Sequence, residues 1–205
     1  TGKLNYFIKD SYLTAGYSMP VAWGEGNPAV IQGAGGHVET AKAQLASAWG
    51  AWRQVRGDYS TAFGNYTNAY SIGATAWGYS TYAGGAEADK TKGVYATAWG
   101  NLSVASGNYA TAWGDHARAS GERATAWGGG GTDHWTVASG TGSTAFGYQT
   151  TANTEGSTAW GYRTVAGSSA TDGQYSTAWG QYSEVLGHYS TAFGGTTGDD
   201  KTIAN

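Results

Sequence analysis

Small and large side chains alternate along this chain with a period of two, and the alternation restarts every seven residues. Ala98-Trp99-Gly100 is followed by Ala105-Ser106-Gly107, then Ala112-Trp113-Gly114, Ala119-Ser120-Gly121 and Ala126-Trp127-Gly128. Each seven-residue half reads as a strand of about five residues and a two-residue turn. Successive side chains on a strand point to opposite faces. Ser60, Ala62 and Gly64 therefore share one face while Thr61 and Phe63 share the other. In the second half, Ser103, Ala105 and Gly107 oppose Val104 and Ser106. The small face recurs as Ala117, Ala119, Gly121 and as Ser157, Ala159, Gly161. Two strands of one coil can lie back to back only over tiny side chains, so the pattern predicts a flattened solenoid with an Ala, Ser and Gly interior.

The larger period comes from the triplet Ala-aromatic-Gly. Its aromatic member is Trp23, Trp49, Phe63, Trp77, Trp99, Trp113, Trp127, Phe146, Trp160, Trp179 and Phe193. Successive separations are 26, 14, 14, 22, 14, 14, 19, 14, 19 and 14 residues. A fixed short period with discrete insertions marks stacked repeats, each burying its apolar face against its neighbours. The insertions fall near residues 32–42, 86–93, 129–133 and 168–173, all at predicted turns. The first of them, between Gly33 and Leu45, is read as carrying a short helix.

The two outer faces differ. Outside the first strand stand Thr and Trp or Phe; outside the second stand varied pairs such as Gln54/Arg56, Asn68/Tyr70, Arg118/Ser120 and Glu184/Leu186. Stacked coils bring equivalent positions about 4.8 Å apart, so the aromatics form a ladder. At roughly 150 Å² or more per ring, eleven rungs make an apolar strip above about 1,000 Å². Monomeric proteins rarely carry exposed patches beyond a few hundred Å². Copies of the same chain arranged around an axis are the simplest cover. The alternative is the opposite arrangement, with Trp inside the coil and the small residues outside, although a 14-residue coil has little room for Trp on one strand and Arg118 or Glu184 on the other.

Composition narrows the functional classes. The 205 residues include 35 Gly, 2 Pro and no Cys, which removes disulfides and thiolate metal sites together. A net charge of −3 gives no electrostatic reason to expect nucleic acid or an anionic membrane. No stretch reaches the roughly 20 apolar residues of a membrane helix. Thr1 is not followed by a charged-then-apolar leader, as expected of a piece of a longer protein. His37, His116, His134 and His188 lack metal-ligand spacing. Asp115-His116 and Asp133-His134 read as solvated turn pairs. No convergent acid, base and nucleophile set is found, so the chain is read as a non-enzyme without cofactor or metal.

Units such as Asp58-Tyr-Ser-Thr-Ala-Phe-Gly64 and Asn108-Tyr-Ala-Thr-Ala-Trp-Gly114 resemble the head repeat of the trimeric autotransporter adhesins of the YadA type, over about residues 12–195. That repeat runs Asn-Ser-Val-Ala-Ile-Gly with a 14-residue period. The resemblance implies an all-β, left-handed parallel β-roll assembled as a homotrimer. Residues 1–195 would be the head and 196–205 the start of a neck, with stalk and membrane anchor outside this chain. The Val and Ile that face the threefold axis in the family correspond here to Thr and Trp or Phe. Trp49, Phe63, Trp77, Trp99, Trp113, Trp127, Phe146, Trp160, Trp179 and Phe193 are thus the expected trimer interface, on the axis or between neighbouring rolls.

The implied role is a bacterial surface adhesin, outer-membrane anchored, that binds extracellular-matrix proteins such as collagen, fibronectin or laminin, or cell-surface glycans. Candidate ligand contacts are Arg56, Tyr82, Glu87, Lys90, Arg118 and Glu184, on the variable face and in an insertion. Tyrosines beside the turns, such as Tyr95, Tyr109 and Tyr175, read as edge packing between coils or as a contact surface. Two other classes compete. An ice-binding solenoid would use the ladder of Thr61, Thr75, Thr97, Thr111, Thr125 and Thr144, which alternates with Trp. A carbohydrate-binding or carbohydrate-degrading fibre rod would need paired carboxylates for turnover.

Overall fold

The computed structural model describes residues 21–23, 30–31, 46–51, 54–85, 91–131, 134–167, 172–195 and 202–204. Every regular element among them is a β-strand. Each coil supplies a longer strand, such as Thr97–Asn101, and a shorter one, such as Val104–Ala105. The longer strands form one 11-stranded sheet and the shorter ones another, each strand bonded to its equivalent one coil before and after. Pairing is parallel and in phase: Thr111, Ala112, Trp113 and Gly114 lie opposite Thr97, Ala98, Trp99 and Gly100. Insertions leave the register untouched, because Trp77 still meets Trp99 and Trp127 still meets Phe146. The predicted solenoid period is therefore the period of the structure. The tail continues the same architecture, with Thr202–Ala204 paired in parallel to Ser183–Val185. The proposed helix between Gly33 and Leu45 lies outside the described residues.

The interior is as small as the alternation requires. Ala62, Ala76, Ala98, Ala112 and Ala126 from one sheet face Ala69, Ala83, Ala105, Ala119 and Ala138 from the other, all fully buried. Val55 and Val185 are the largest side chains sealed inside among the described residues. An alanine core removes little apolar area per residue, so hydrogen bonding between coils carries a large share of the cohesion. The corners are lined by buried Thr67, Thr81, Ser103, Thr136, Thr150 and Thr164. Thr136 Oγ1 donates to the Gly147 carbonyl at 2.9 Å.

The second strand is shorter than predicted, two or three residues instead of five. A four-residue turn takes the difference. In it the Ala110 N–H donates to the Gly107 carbonyl at 3.1 Å, and Tyr109 adopts the left-handed conformation with φ 58°. Tyr59, Tyr95, Arg123, Tyr175 and Tyr189 hold the equivalent place, all at positive φ. The opposite corner uses the same device at Leu102, His116 and Arg163. This conformation costs a non-Gly residue about 1–2 kcal/mol, and the structure shows the return. Tyr109 N–H reaches the Val94 carbonyl at 2.8 Å, and His116 N–H reaches the Asn101 carbonyl at 3.0 Å. The inter-coil ladder thus continues around both corners, leaving fewer backbone donors unpaired.

The glycine of Ala-Trp-Gly has a separate cause. A Cβ on Gly100 would lie 2.1 Å from the Gly114 carbonyl oxygen, and one on Gly114 equally close to that of Gly128. Both sit at φ +119°, a region closed to other residues. Close approach between coils, more than membership of a small face, fixes glycine there.

Candidate functional site

The aromatic ladder lies on the outside of the long sheet. Trp77, Trp99, Trp113, Trp127, Trp160 and Trp179 are each between 42% and 50% exposed, while their Ala neighbours are sealed. The inward-Trp arrangement is thereby excluded. Parallel register sets one indole on the next: Trp77–Trp99, Trp99–Trp113 and Trp113–Trp127 stack at 5.0, 5.1 and 4.9 Å with interplanar angles of 8°, 4° and 4°. Trp160–Trp179 forms a second stack at 5.6 Å. Each Phe rung turns edge-on, as at Phe63–Trp77 (68°), Trp127–Phe146 (78°), Phe146–Trp160 (80°) and Trp179–Phe193 (78°). Trp49 pairs with Phe63 in the backbone register of neighbouring strands. Mutual stacking hides about half of each ring, so the nine rungs from Phe63 to Phe193 present an apolar strip of roughly 900 Å². That is still beyond what an isolated surface normally carries. Thr97, Thr111 and Thr125 share this face in register.

The opposite face is more apolar than its sequence suggested. Its outward row runs Asn68, Tyr82, Val104, Arg118, Val137, Thr151, Val165 and Glu184, each in register with the next. Arg118 is exposed and Glu184 half-exposed between Val165 and Ile203. Arg56 is buried, only 8% exposed, with its guanidinium carbon 4.9 Å over the Tyr70 ring. Tyr70 in turn meets Tyr82 edge-on at 5.1 Å, and the Tyr82 hydroxyl donates to the Gly85 carbonyl. Arg56 and Tyr82 therefore brace the wall, and Arg56, expected as a ligand contact, is enclosed there while Tyr82 is half-buried. Glu87 and Lys90 lie outside the described residues.

Asp115-His116 corrects the solvated-pair reading. His116 is only 6% exposed. Asp115 Oδ1 accepts from Asn101 Nδ2 at 2.6 Å and faces His116 Nδ1 at 2.8 Å. The imidazole meets the Trp135 ring edge-on at 5.1 Å, and the Arg118 guanidinium carbon lies 4.7 Å over the same ring. Trp135 was missed in the sequence; its signal is a Trp placed outside the Ala-aromatic-Gly register, beside an insertion. Of the other pair, His134 is half-buried and Asp133 lies outside the described residues.

Corner tyrosines pack between coils. Tyr95–Tyr109 and Tyr175–Tyr189 stack at 5.6 and 5.4 Å, and all four remain exposed. The Tyr175 hydroxyl donates to Glu155 Oε1 at 2.6 Å. That hydrogen bond, together with the carboxylate's charge, raises the Tyr175 pKa above the ordinary phenol value. Among the described residues no group of three or more His, Asp or Glu could hold a metal ion.

The family model described as the YadA head domain repeat (2 copies) matches residues 92–117, 105–130, 138–164 and 172–197. No curated protein matches the chain. The matched windows each span about two coils of the solenoid. Over these windows the chain matches YadA head domain repeats, consistent with the head of a YadA-like trimeric autotransporter adhesin.

Proposed function

We propose that this chain is the binding head of a surface-displayed bacterial adhesin that works as a homotrimer, with sister subunits closed over the aromatic ladder. The single observation that carries the reading is the conjunction of family repeats with an outward indole stack, Trp77 to Trp127, that none of the described residues covers. At about 25 cal/mol per Å², sealing the strip contributes on the order of 20 kcal/mol per chain before association costs. The face carrying Arg118, Val137 and Glu184, with the insertions, is then left to meet the host. Extracellular-matrix proteins and cell-surface glycans are the ligand classes, and display on an outer-membrane-anchored stalk completes the reading. Three equivalent faces around one rod raise effective concentration, so individually weak sites suffice.

The test is binding of purified protein to immobilised collagen, fibronectin, laminin and whole host cells. Saturable capture at micromolar concentration on at least one of these supports the reading. Absence of capture on all of them overturns it.

A further inference from the structure

We propose that Arg118 and Trp135 form a recognition site for the oxoanion of an acidic saccharide; the inference rests on the adhesin reading and names one of its ligand chemistries. Arg118 is exposed, and its guanidinium carbon lies 4.7 Å over the Trp135 ring. A guanidinium held over an indole by cation–π attraction uses its charge there and keeps its N–H fork to bind a carboxylate or sulfate. Among the described residues no acceptor engages that fork. Arg123 differs, because its Nη2 already faces Glu122 Oε1 at 3.2 Å.

The stacking platform is itself held in place. Trp135 packs against the edge of the buried His116, whose ring is tied to Asp115 and through it to Asn101. Thr136 N–H donates to the His116 carbonyl at 3.1 Å, anchoring the backbone beside the indole. Binding at such a site spends little on ordering the side chains that make it.

The surroundings favour a sugar over a peptide. Arg118 stands between Val104 and Val137 in one row, and Ser106, Ser120 and Ser139 form a parallel row of short hydroxyls one position beyond the buried alanines. A row of C–H groups beside a row of hydroxyls matches a pyranose, which presents both. An extended peptide would instead seek a sheet edge. Here the strands of this face already bond to coils on both sides.

The experiment measures binding of the intact protein to hyaluronan (carboxylate only), dextran sulfate (sulfate only), neutral dextran and poly-L-glutamate by surface plasmon resonance. Hyaluronan, dextran sulfate or both are bound, and the arm that binds identifies the oxoanion. Arg118→Gln weakens that binding at least about tenfold, the loss of a charge-assisted bond. Arg118→Lys retains part of it, and Arg123→Gln, which removes the same charge, leaves it unchanged. Circular dichroism shows that each variant is folded. Equal losses in Arg118→Gln and Arg123→Gln overturn the site in favour of diffuse charge. Comparable binding of neutral dextran, or of poly-L-glutamate, overturns the saccharide assignment. Protein that adheres to matrix or host cells but ignores both polyanions overturns this site and leaves the adhesin reading standing.

Discussion

Gly114 follows Trp113 directly and Gly129 stands two positions after Trp127, and their surroundings are opposite. A Cβ on Gly114 would strike the Gly128 carbonyl oxygen at 2.1 Å from a backbone at φ +119°, whereas one on Gly129 meets nothing within 4 Å. Gly114→Ala is therefore predicted to lose about 3 kcal/mol or more in chemical denaturation. Gly129→Ala is predicted to stay within about 0.5 kcal/mol of wild type. Equal shifts in the two midpoints would contradict the close-approach account. Tyr175 supplies a second residue-scale test. Its folded-state pKa is raised by the hydrogen bond to Glu155 and by that carboxylate's charge. The stabilisation from this bond is complete below the ordinary tyrosine range and is lost as pH climbs through the raised value. A phenolate absorbance titration, wild type minus Tyr175→Phe, should isolate a group ionising above ordinary tyrosine, and Glu155→Gln should lower it. A component at the ordinary value would contradict the contact.

At the scale of the element, the two faces of the coil make separable predictions. Trp113 sits in the middle of a stack with Trp99 and Trp127, so Trp113→Asp places a charge between two indoles on the strip held to be sealed. It is expected to dissociate or unfold the protein, measured by sedimentation and circular dichroism. Arg118→Ala, on the exposed face, is expected to leave mass and melting temperature unchanged; equal mild effects would refute the face assignment. These faces were legible in the sequence because period-two alternation within a fixed 14-residue repeat sorts Ala62 from Phe63 without any tertiary information. The register across insertions was legible for the same reason. The short second strand was not, since the left-handed turn position is held by Tyr109 and Arg123 and not by the Gly or Asn that usually announces it. Nor was the burial of His116, which depends on Trp135 packing over it from beyond the insertion near 129–133.

For the molecule as a whole, an alanine interior and continuous inter-coil hydrogen bonding build a stiff rod that keeps a long aromatic strip on its outside. The central claim is that sister chains close over that strip. Light-scattering mass of the purified chain in dilute buffer tests it most directly. The account predicts three times the 21.2 kDa chain mass with no detectable single-chain species. A stable, folded species of 21.2 kDa would contradict it.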